Sequence, residues 1–409
     1  MSCAYRLAIL NSHPIQYFAP FYRRLAQEPD IDLTVYFCSR QGVDEYVDAG
    51  FGARIKWDVP LLEGYKYKFL PNWRHQNLVA GFFSLINPSI IWELWRGNYD
   101  ALLVYGHGQA TCLIGIAAAK LLGVPVLMRS ETNLLSSRPK LKRLLRGPVM
   151  TTFYRLCNAC LPIGKLNADF YRFHGVDDKQ LFLVPYALNN KVLIDTIEQA
   201  RTSTETIKSE LGIPSDKPVI LLVSKLYPHK RPFDLLLAYQ KLRAQGIKAT
   251  LVFAGSGSSE EELKSYVKTE AVPDVCFLGF RNQSELPKVY AVADIFAFPS
   301  KNETWGLVVN EALCAGLPVV VTESVGAVGD LIKHGHNGFV YQTGDIDALA
   351  HHLKTLVTDT ALRKQMGGYS RAIINRWDYE QGVEGMRAAL HYVQPNRSFD
   401  YQSGESYGG

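Results

Sequence analysis

Short apolar runs alternate with amphipathic helical stretches along most of the chain, in two successive series of six. This alternation is typical of an α/β protein with parallel sheets, because each parallel crossover needs a helix. The runs of the first series are 6–10, 32–37, 101–104, 124–128, 159–162 and 181–184. Those of the second series are 218–223, 250–254, 275–278, 295–298, 318–321 and 338–341. We therefore predict two doubly wound α/β domains with parallel sheets and a cleft at the carboxyl ends of the strands.

The polar stretch 191–217 has no strand pattern and separates the two series. We predict an N-terminal domain over residues 1–190 and a C-terminal domain over residues 191–376. The last helical stretch bends near Trp377, so we expect residues 377–395 to form a helix that returns to the N-terminal domain. The tail 396–409 has no aliphatic residue and is predicted to be disordered.

The composition and net charge are those of an ordinary globular protein. Of 409 residues, 47% are hydrophobic and 20% are charged, which excludes wholesale disorder. The net charge of +5 is weak for a dedicated nucleic-acid binder, but it suits phosphorylated ligands or an anionic membrane surface. We find no secretory signal, no membrane-spanning run and an odd number of cysteines, seven, so we expect a reduced, cytoplasmic setting.

The strongest chemical signal is the segment 298–318, which predicts a strand end, a loop and a helix. Glu303 lies in the loop, Gly306 begins the helix, and Glu311 follows about 7–8 Å further along the axis. Backbone N–H groups at Gly306 and Leu307 can bind an anion. Two carboxylates beside such a site suit a nucleotide sugar, one for the hydroxyls of the sugar and one for those of the ribose. The alternative is a pair of solvated glutamates.

A second signal follows the first strand of the second series. Lys225 and Lys230 come just after its carboxyl end. Cations placed there neutralise the charge that develops on a departing diphosphate. The alternative interpretation is a solvated basic turn.

Segment 298–318 resembles the Glu-x7-Glu motif of the family-4 (group 1) retaining glycosyltransferases, and residues 319–340 continue the resemblance. That family has the GT-B fold, with two facing Rossmann-like domains and a cleft between them. The resemblance covers most of residues 218–376 and is weaker over 1–190. It implies a nucleotide-diphosphate sugar in the C-terminal domain, an acceptor in the N-terminal domain, and retention of anomeric configuration.

The resemblance also implies roles for individual residues. Lys225 and Lys230 would stabilise the diphosphate, although relatives usually have Gly-Arg where this chain has Ser224-Lys225. Glu311 would hold the ribose. Glu303 would hold the donor sugar, surrounded by Thr304, Trp305, Gly306 and Leu307. The glycine turn with Gly255 and Gly257 would line the nucleotide pocket, and Phe280 and Arg281 would hold the base, with core packing as the alternative for Phe280.

The candidates on the acceptor side follow strands of the first series. His13 and Gln16 come after the first strand, and His107 comes after the third, with a structural role as the alternative for each histidine. Arg129 and Glu131 follow the fourth strand, where many relatives have a histidine near Glu131. We expect Glu131 to contact the sugar or the acceptor and Arg129 to bind phosphate, unless the two only pair with each other.

We predict no catalytic metal and no other cofactor. Asp345 and Asp347 resemble a metal-binding Asp-x-Asp but begin a helix, so capping accounts for them better. Cys157 and Cys160 are interpreted as core thiols. The basic stretch Arg138–Arg146 is either a solvated helix face or a contact with an anionic membrane or a lipid-pyrophosphate acceptor.

The resulting hypothesis is a glycosyltransferase that uses a nucleotide-diphosphate sugar, with UDP favoured over GDP. The acceptor is expected to be a glycan or a glycolipid, as in the synthesis of envelope polysaccharides. Two alternatives stay open. A nucleotide-sugar epimerase would turn over the donor without an acceptor, and a non-catalytic sugar-nucleotide-binding protein would bind it without turnover.

Overall fold

The computed structural model describes residues 4–48, 53–74, 79–135 and 140–396. Its strands are β1 (Tyr5–Asn11), β2 (Ile31–Phe37), β3 (Tyr46–Asp48), β4 (Ala53–Ile55), β5 (Lys66–Phe69), β6 (Ala101–Tyr105), β7 (Val126–Arg129), β8 (Ala159–Cys160), β9 (Val219–Val223), β10 (Thr250–Ala254), β11 (Val275–Gly279), β12 (Ile295–Phe298), β13 (Val319–Thr322) and β14 (Gly338–Tyr341). Its α-helices are α1 (Ala19–Leu25), α2 (Ser89–Gly97), α3 (Ala110–Leu121), α4 (Lys140–Arg155), α5 (Lys165–Phe173), α6 (Asn190–Arg201), α7 (Thr204–Leu211), α8 (Pro232–Ala244), α9 (Glu260–Thr269), α10 (Leu286–Ala291), α11 (Leu307–Cys314), α12 (Ile346–Thr358), α13 (Thr360–Ile374) and α14 (Tyr379–Val393).

Two six-stranded parallel sheets organise the molecule. The first has the order β5-β2-β1-β6-β7-β8 and the second the order β11-β10-β9-β12-β13-β14. In both sheets the chain starts in the middle, moves to one edge, and returns to build the other half. This order is the doubly wound pattern, with a reversal point between β1 and β6 and another between β9 and β12. The predicted α/β architecture is confirmed.

Continuous apolar runs form the central strands because helices cover both faces of each sheet. All five residues of β9 and all five of β10 are buried. The last helix, α14, packs on the first sheet, where Val383, Met386 and Leu390 share a core with Leu7 and Ile9. The chain therefore crosses between the two sheets twice.

Most predicted strands form, and the exceptions have local causes. Segment 181–184 forms no strand, because Pro162 has no N–H to extend the ladder beyond the two-residue β8. Only Leu181 bridges to Cys160. Strand β5 was not predicted, because it is largely exposed and therefore lacks an apolar run. Stretch 191–217 folds as α6 and α7, and buries Ile197 and Ile207 in the C-terminal core.

Two further predictions concern the C-terminal tail and the absence of a membrane-spanning segment. The tail, apart from residue 396, lies outside the described residues. In the part of the chain that the structure describes, every helix is too short or too polar to cross a membrane.

Candidate active site

A cavity of about 340 Å³ lies between the two domains, at the carboxyl ends of β9 and β12. These strands flank the reversal point of the second sheet, where doubly wound proteins bind ligands. Ten of the predicted site residues line this cavity: Gln16, Lys225, Lys230, Gly255, Phe280, Arg281, Glu303, Gly306, Leu307 and Glu311. Folding thus brings one loop of the N-terminal domain together with four separate segments of the C-terminal domain.

Lys230 and Glu303 form an ion pair in this cavity, although 73 residues separate them in the sequence. Lys230 ends a short 3-10 turn beyond β9, and Glu303 lies in the loop after β12. Their side chains are 17% and 15% exposed, so water screens the pair only partly. The hydroxyl of Ser300 also donates to Glu303, at 3.4 Å. A diphosphate bound here would share the Lys230 ammonium with the Glu303 carboxylate.

The first turn of α11 faces the same cavity through Gly306, Leu307 and Val308. Gly306 has a φ of +96°, which disfavours residues with a side chain. A Cβ atom there would also lie 3.3 Å from the Cγ of Glu303. The glycine therefore lets the loop turn sharply into the helix, with the positive end of the helix dipole directed at the cavity.

Glu311 is buried on the inner side of the cavity and accepts hydrogen bonds from both domains. The Tyr290 hydroxyl donates to one carboxylate oxygen at 2.7 Å, and the Tyr17 hydroxyl donates to the other at 3.3 Å. Gln283 donates in turn to the Tyr17 hydroxyl at 3.2 Å. Burial raises the pKa of Glu311 to about 7, although the two tyrosine hydrogen bonds act in the opposite direction.

An aromatic pair spans the two domains at another part of the cavity. The rings of Trp57 and Phe280 both line it, with their centres 6.4 Å apart in an edge-to-face arrangement. Asn282 anchors the segment of Trp57 by donating to the backbone carbonyl of Lys56 at 2.9 Å. Trp57 could not be predicted as a site residue, because no strand pattern or motif surrounds it in the sequence.

Gly255 and Gly257 pack the turn after β10 against the backbone that follows β9. A Cβ atom on Gly255 would lie 1.9 Å from the Ser224 carbonyl oxygen, and one on Gly257 would lie 2.6 Å from that of Leu226. The N–H of Leu226 donates to the carbonyl of Ser256 at 3.0 Å. Close backbone packing explains both glycines. Gly255 also lines the cavity, whereas Gly257 supports the segment that carries the lysines.

Trp305 and Thr304 differ from the sequence expectation that they surround the donor sugar. The side chain of Trp305 is buried, donates to Asn310 at 2.9 Å, and stacks on Trp377 with ring centres 5.4 Å apart. The Thr304 carbonyl accepts a hydrogen bond from Asn133 at 3.2 Å. Trp305 therefore packs in the core, and Thr304 helps join the domains.

The two candidate histidines lie in different surroundings. Burial lowers the pKa of His13 to about 4, and the Ser12 hydroxyl lies 2.9 Å from its Nδ1 atom. His13 is therefore neutral near pH 7. His107 packs on α4, with ring centres 5.4 Å from Phe153 and 6.1 Å from Tyr154. Its ring therefore contributes to packing within the N-terminal domain.

Arg129 is not among the residues that line the cavity, although the sequence analysis expected it to bind phosphate. Its guanidinium is buried and donates to the backbone carbonyls of Val184 and Pro185, the latter at 3.3 Å. Burial also raises the pKa of Glu131, whose carboxyl group hydrogen-bonds Tyr186. The two residues thus have separate partners, and Arg129 positions the segment that leads to Tyr186.

The remaining predictions concern metals, cysteines and the basic stretch. Among the described residues, no three His, Cys, Asp or Glu side chains are grouped to hold a metal ion. Asp345 caps α12 by accepting from the Ala348 N–H at 2.8 Å, as predicted. Cys157 and Cys160 are buried free thiols. Arg138 lies outside the described residues, and residues 140–146 are described only as the backbone of α4.

Comparison with known proteins gives a family match for much of the C-terminal domain. Residues 203–373 match the family model "Glycosyl transferases group 1". The chain is 27% identical over 311 residues to a sulfoquinovosyl transferase of Arabidopsis thaliana. This match covers 74% of this chain and 58% of that protein. The chain is 26% identical over 299 residues to the N-acetyl-alpha-D-glucosaminyl L-malate synthase of Bacillus anthracis, covering 70% of this chain and 71% of that one.

The fold has close solved counterparts. The structure of HepE from Anabaena in complex with UDP and glucose superposes with a TM-score of 0.70 at 19% identity. The match covers 94% of this chain and 99% of HepE. Such a likeness covers both domains and supports the GT-B arrangement. Residues 203–373 thus match the group 1 glycosyl transferases, and the two Rossmann-like domains of this chain form a GT-B fold.

Proposed function

We propose that this protein is a retaining glycosyltransferase that moves a sugar from a nucleotide-diphosphate sugar to a glycan or glycolipid acceptor. UDP is the favoured nucleotide, since HepE binds UDP and UDP-glucose. The observation that carries the proposal is the shared cavity of Lys225, Lys230, Glu303, Gly306 and Glu311. Cations, carboxylates and a helix start in one interdomain cavity match the chemistry of such a donor.

The departing diphosphate gains negative charge as the bond between the sugar and the phosphate oxygen breaks. Lys225, Lys230 and the first turn of α11 are the positive groups that line the cavity near this charge. Fixed positive groups stabilise the transition state more than the bound donor, because the diphosphate carries more negative charge there than in the ground state. In this proposal the two lysines and the helix start stabilise the departing diphosphate without a metal ion, so activity should persist in excess EDTA.

The other groups hold the rest of the donor. Glu303 accepts hydrogen bonds from the sugar hydroxyls, and Glu311 accepts them from the ribose. Phe280, Arg281 and Trp57 surround the base. Support comes from two separate contacts in the cavity wall, since Trp57 contacts Phe280 and Glu303 contacts Lys230.

The acceptor enters from the N-terminal domain, where Gln16 and Tyr17 line the cavity. The two domains together exclude water, which favours transfer over hydrolysis. Retention follows from the resemblance, with front-face displacement and no protein nucleophile. NMR assignment of the anomeric configuration of the product tests this part directly.

The central experiment assays Glu303→Gln and Lys230→Ala for sugar transfer, beside the matched variant Lys241→Ala. Lys241 pairs with Asp347 on the exposed surface, so its loss should leave transfer unchanged. Wild-type rates in both site variants would contradict the mechanism. Product analysis with the donor alone separates transfer from epimerisation, and nucleotide-dependent thermal stabilisation without turnover would indicate a non-catalytic binder.

A further inference from the structure

Large aromatic side chains are exposed on one part of the N-terminal domain. Trp73 is 71% exposed, Trp95 57% and Trp92 52%. Phe83 and Ile91 are exposed beside them in the sequence. We call these five residues the tryptophan surface. Soluble proteins rarely leave several large apolar side chains on neighbouring elements in water, so such a surface indicates a binding partner.

The elements that carry this surface are held together by specific contacts. Asn72 accepts from the Ile86 N–H at 3.0 Å and donates to the Ser84 carbonyl at 2.9 Å, which ties the Trp73 segment to the segment before α2. On α2 the buried side chains are Ile90 and Leu94. Trp92 and Trp95 lie three residues apart on the outer side, with ring centres 4.8 Å apart. The tryptophan surface is thus an organised outer face, and it takes no part in the cavity lining.

The charge of this region is strongly positive. Residues 70–158 contain 10 Lys and Arg but three Asp and Glu, whereas the rest of the chain contains 34 and 36. The three acids are all engaged. Glu93 pairs with Lys68, Asp100 accepts from the Arg6 N–H at 2.8 Å, and the Glu131 carboxyl group hydrogen-bonds Tyr186. The positive charge of the whole chain is therefore concentrated in the region that carries the tryptophan surface.

Aromatic and basic groups are adjacent within this region. The Arg96 guanidinium lies 5.7 Å from the ring centre of Trp92. Helix α4 packs on the same side of the first sheet as α2 and α3, since Met150 and Tyr154 share their core. Its first seven residues, 140–146, contain four cations and no acid.

We propose that the tryptophan surface docks on an anionic lipid bilayer. Indole rings are favoured at the boundary between lipid headgroups and acyl chains, because they combine a large apolar area with a polar N–H group. Cations such as Arg96, which lies beside Trp92, attract anionic headgroups. A second copy of this positive region would repel the first, which disfavours self-association through this surface. The loop of Trp73 follows β5, so it lies at the strand ends that face the cleft.

The test uses the full chain with vesicles of phosphatidylcholine alone, or of phosphatidylcholine mixed with an equal amount of phosphatidylglycerol. We expect co-sedimentation with the anionic vesicles that weakens in high salt. The double variant Trp92→Ser/Trp95→Ser should lose about tenfold or more in binding, because the apolar contribution is removed. The matched variant Tyr369→Ala, which removes an exposed aromatic residue of the C-terminal domain, should bind as the wild type does.

Thermal stabilisation by UDP-glucose, measured on the same variants, keeps this proposal separate from the proposed function, since the tryptophan surface lies outside the donor cavity. Three results would overturn membrane docking. The first is that the wild type does not bind anionic vesicles, and the second is that the double variant binds them as well as the wild type does. The third is that the wild type self-associates in solution and that the double variant loses this association. The last result would assign the surface to a second copy of the chain.

Discussion

The Tyr17 hydroxyl donates a 3.3 Å hydrogen bond to the carboxylate of Glu311, although 294 residues separate the two side chains. Tyr17 belongs to the N-terminal domain and Glu311 to helix α11 of the C-terminal domain. The ionisation of a predicted donor-binding group thus depends on both domains. Because the pKa of Glu311 is about 7, its charge changes near neutral pH.

The affinity for UDP-glucose should rise with pH around this pKa. The Glu311 carboxylate accepts hydrogen bonds from a ribose better than the protonated acid does, and the fraction ionised grows as pH passes about 7. Calorimetric titrations with UDP-glucose suit this measurement, because its diphosphate has no ionisation in that range. Glu311→Gln should bind more weakly and with no such pH dependence. A slope that persists in this variant would assign the pH dependence to another group.

The free energy of unfolding should fall with rising pH, whereas the affinity for UDP-glucose should rise. The folded pKa of Glu311 is raised above its ordinary value of 4.5, so the folded state holds its proton to higher pH than the unfolded state. The free energy of unfolding should therefore fall as pH rises from about 4.5 to about 7, and Glu311→Gln should remove this part of the decline. Urea denaturation at several pH values measures the effect.

Tyr17→Phe should move the midpoint of the pH-dependent UDP-glucose binding to higher pH. The Tyr17 hydrogen bond stabilises the ionised form of Glu311, so its loss raises the pKa of that carboxyl group further. Tyr36→Phe is a suitable control, because its hydroxyl bonds Tyr99 within the N-terminal domain, at 2.7 Å. An unchanged or lower midpoint in Tyr17→Phe would show that this contact does not control the ionisation.

Lys230→Ala should lower kcat by roughly 10²–10³-fold, the usual cost of removing one group that stabilises transition-state charge. Lys230→Arg should recover part of the rate, because the charge is kept while its position beside Glu303 changes. Steady-state kinetics separate the two parameters. An effect confined to KM would mean that Lys230 binds the ground state and the transition state equally.

Trp57→Ala should weaken UDP-glucose binding by about 1–3 kcal/mol, as expected for the loss of a base–aromatic contact. Trp57→Phe should keep most of the affinity, because a ring still faces Phe280. Trp73→Ala, which removes an exposed tryptophan outside the cavity, provides the control for binding in solution. Equal affinities in all three variants would exclude Trp57 from the donor site.

Trp305→Phe should lower the free energy of unfolding by about 1–3 kcal/mol while leaving the KM for the donor nearly unchanged. The variant loses volume in the core and leaves the buried Asn310 without its indole partner. Chemical denaturation and donor kinetics measure these separately. A large rise in KM without loss of stability would restore the donor-contact role that the sequence suggested.

The α/β architecture and the local spacing of Glu303, Gly306 and Glu311 could be predicted from the amino-acid pattern alone. Apolar runs such as 219–223 mark buried parallel strands directly. Glu303, Gly306 and Glu311 belong to one strand–loop–helix unit, so their separation follows from local geometry. The motif therefore predicted a set of residues that the fold brings into one cavity.

The packing of the two domains in three dimensions was needed to identify the N-terminal groups that complete the cavity and the predicted residues that lie outside it. Trp57 meets Phe280, and Tyr17 meets Glu311, through the packing of two separately wound sheets. Such contacts leave no periodic trace in the sequence, because each partner satisfies only its own local pattern. For the same reason the burial of Arg129 and Trp305 emerged only when the surrounding core was in place.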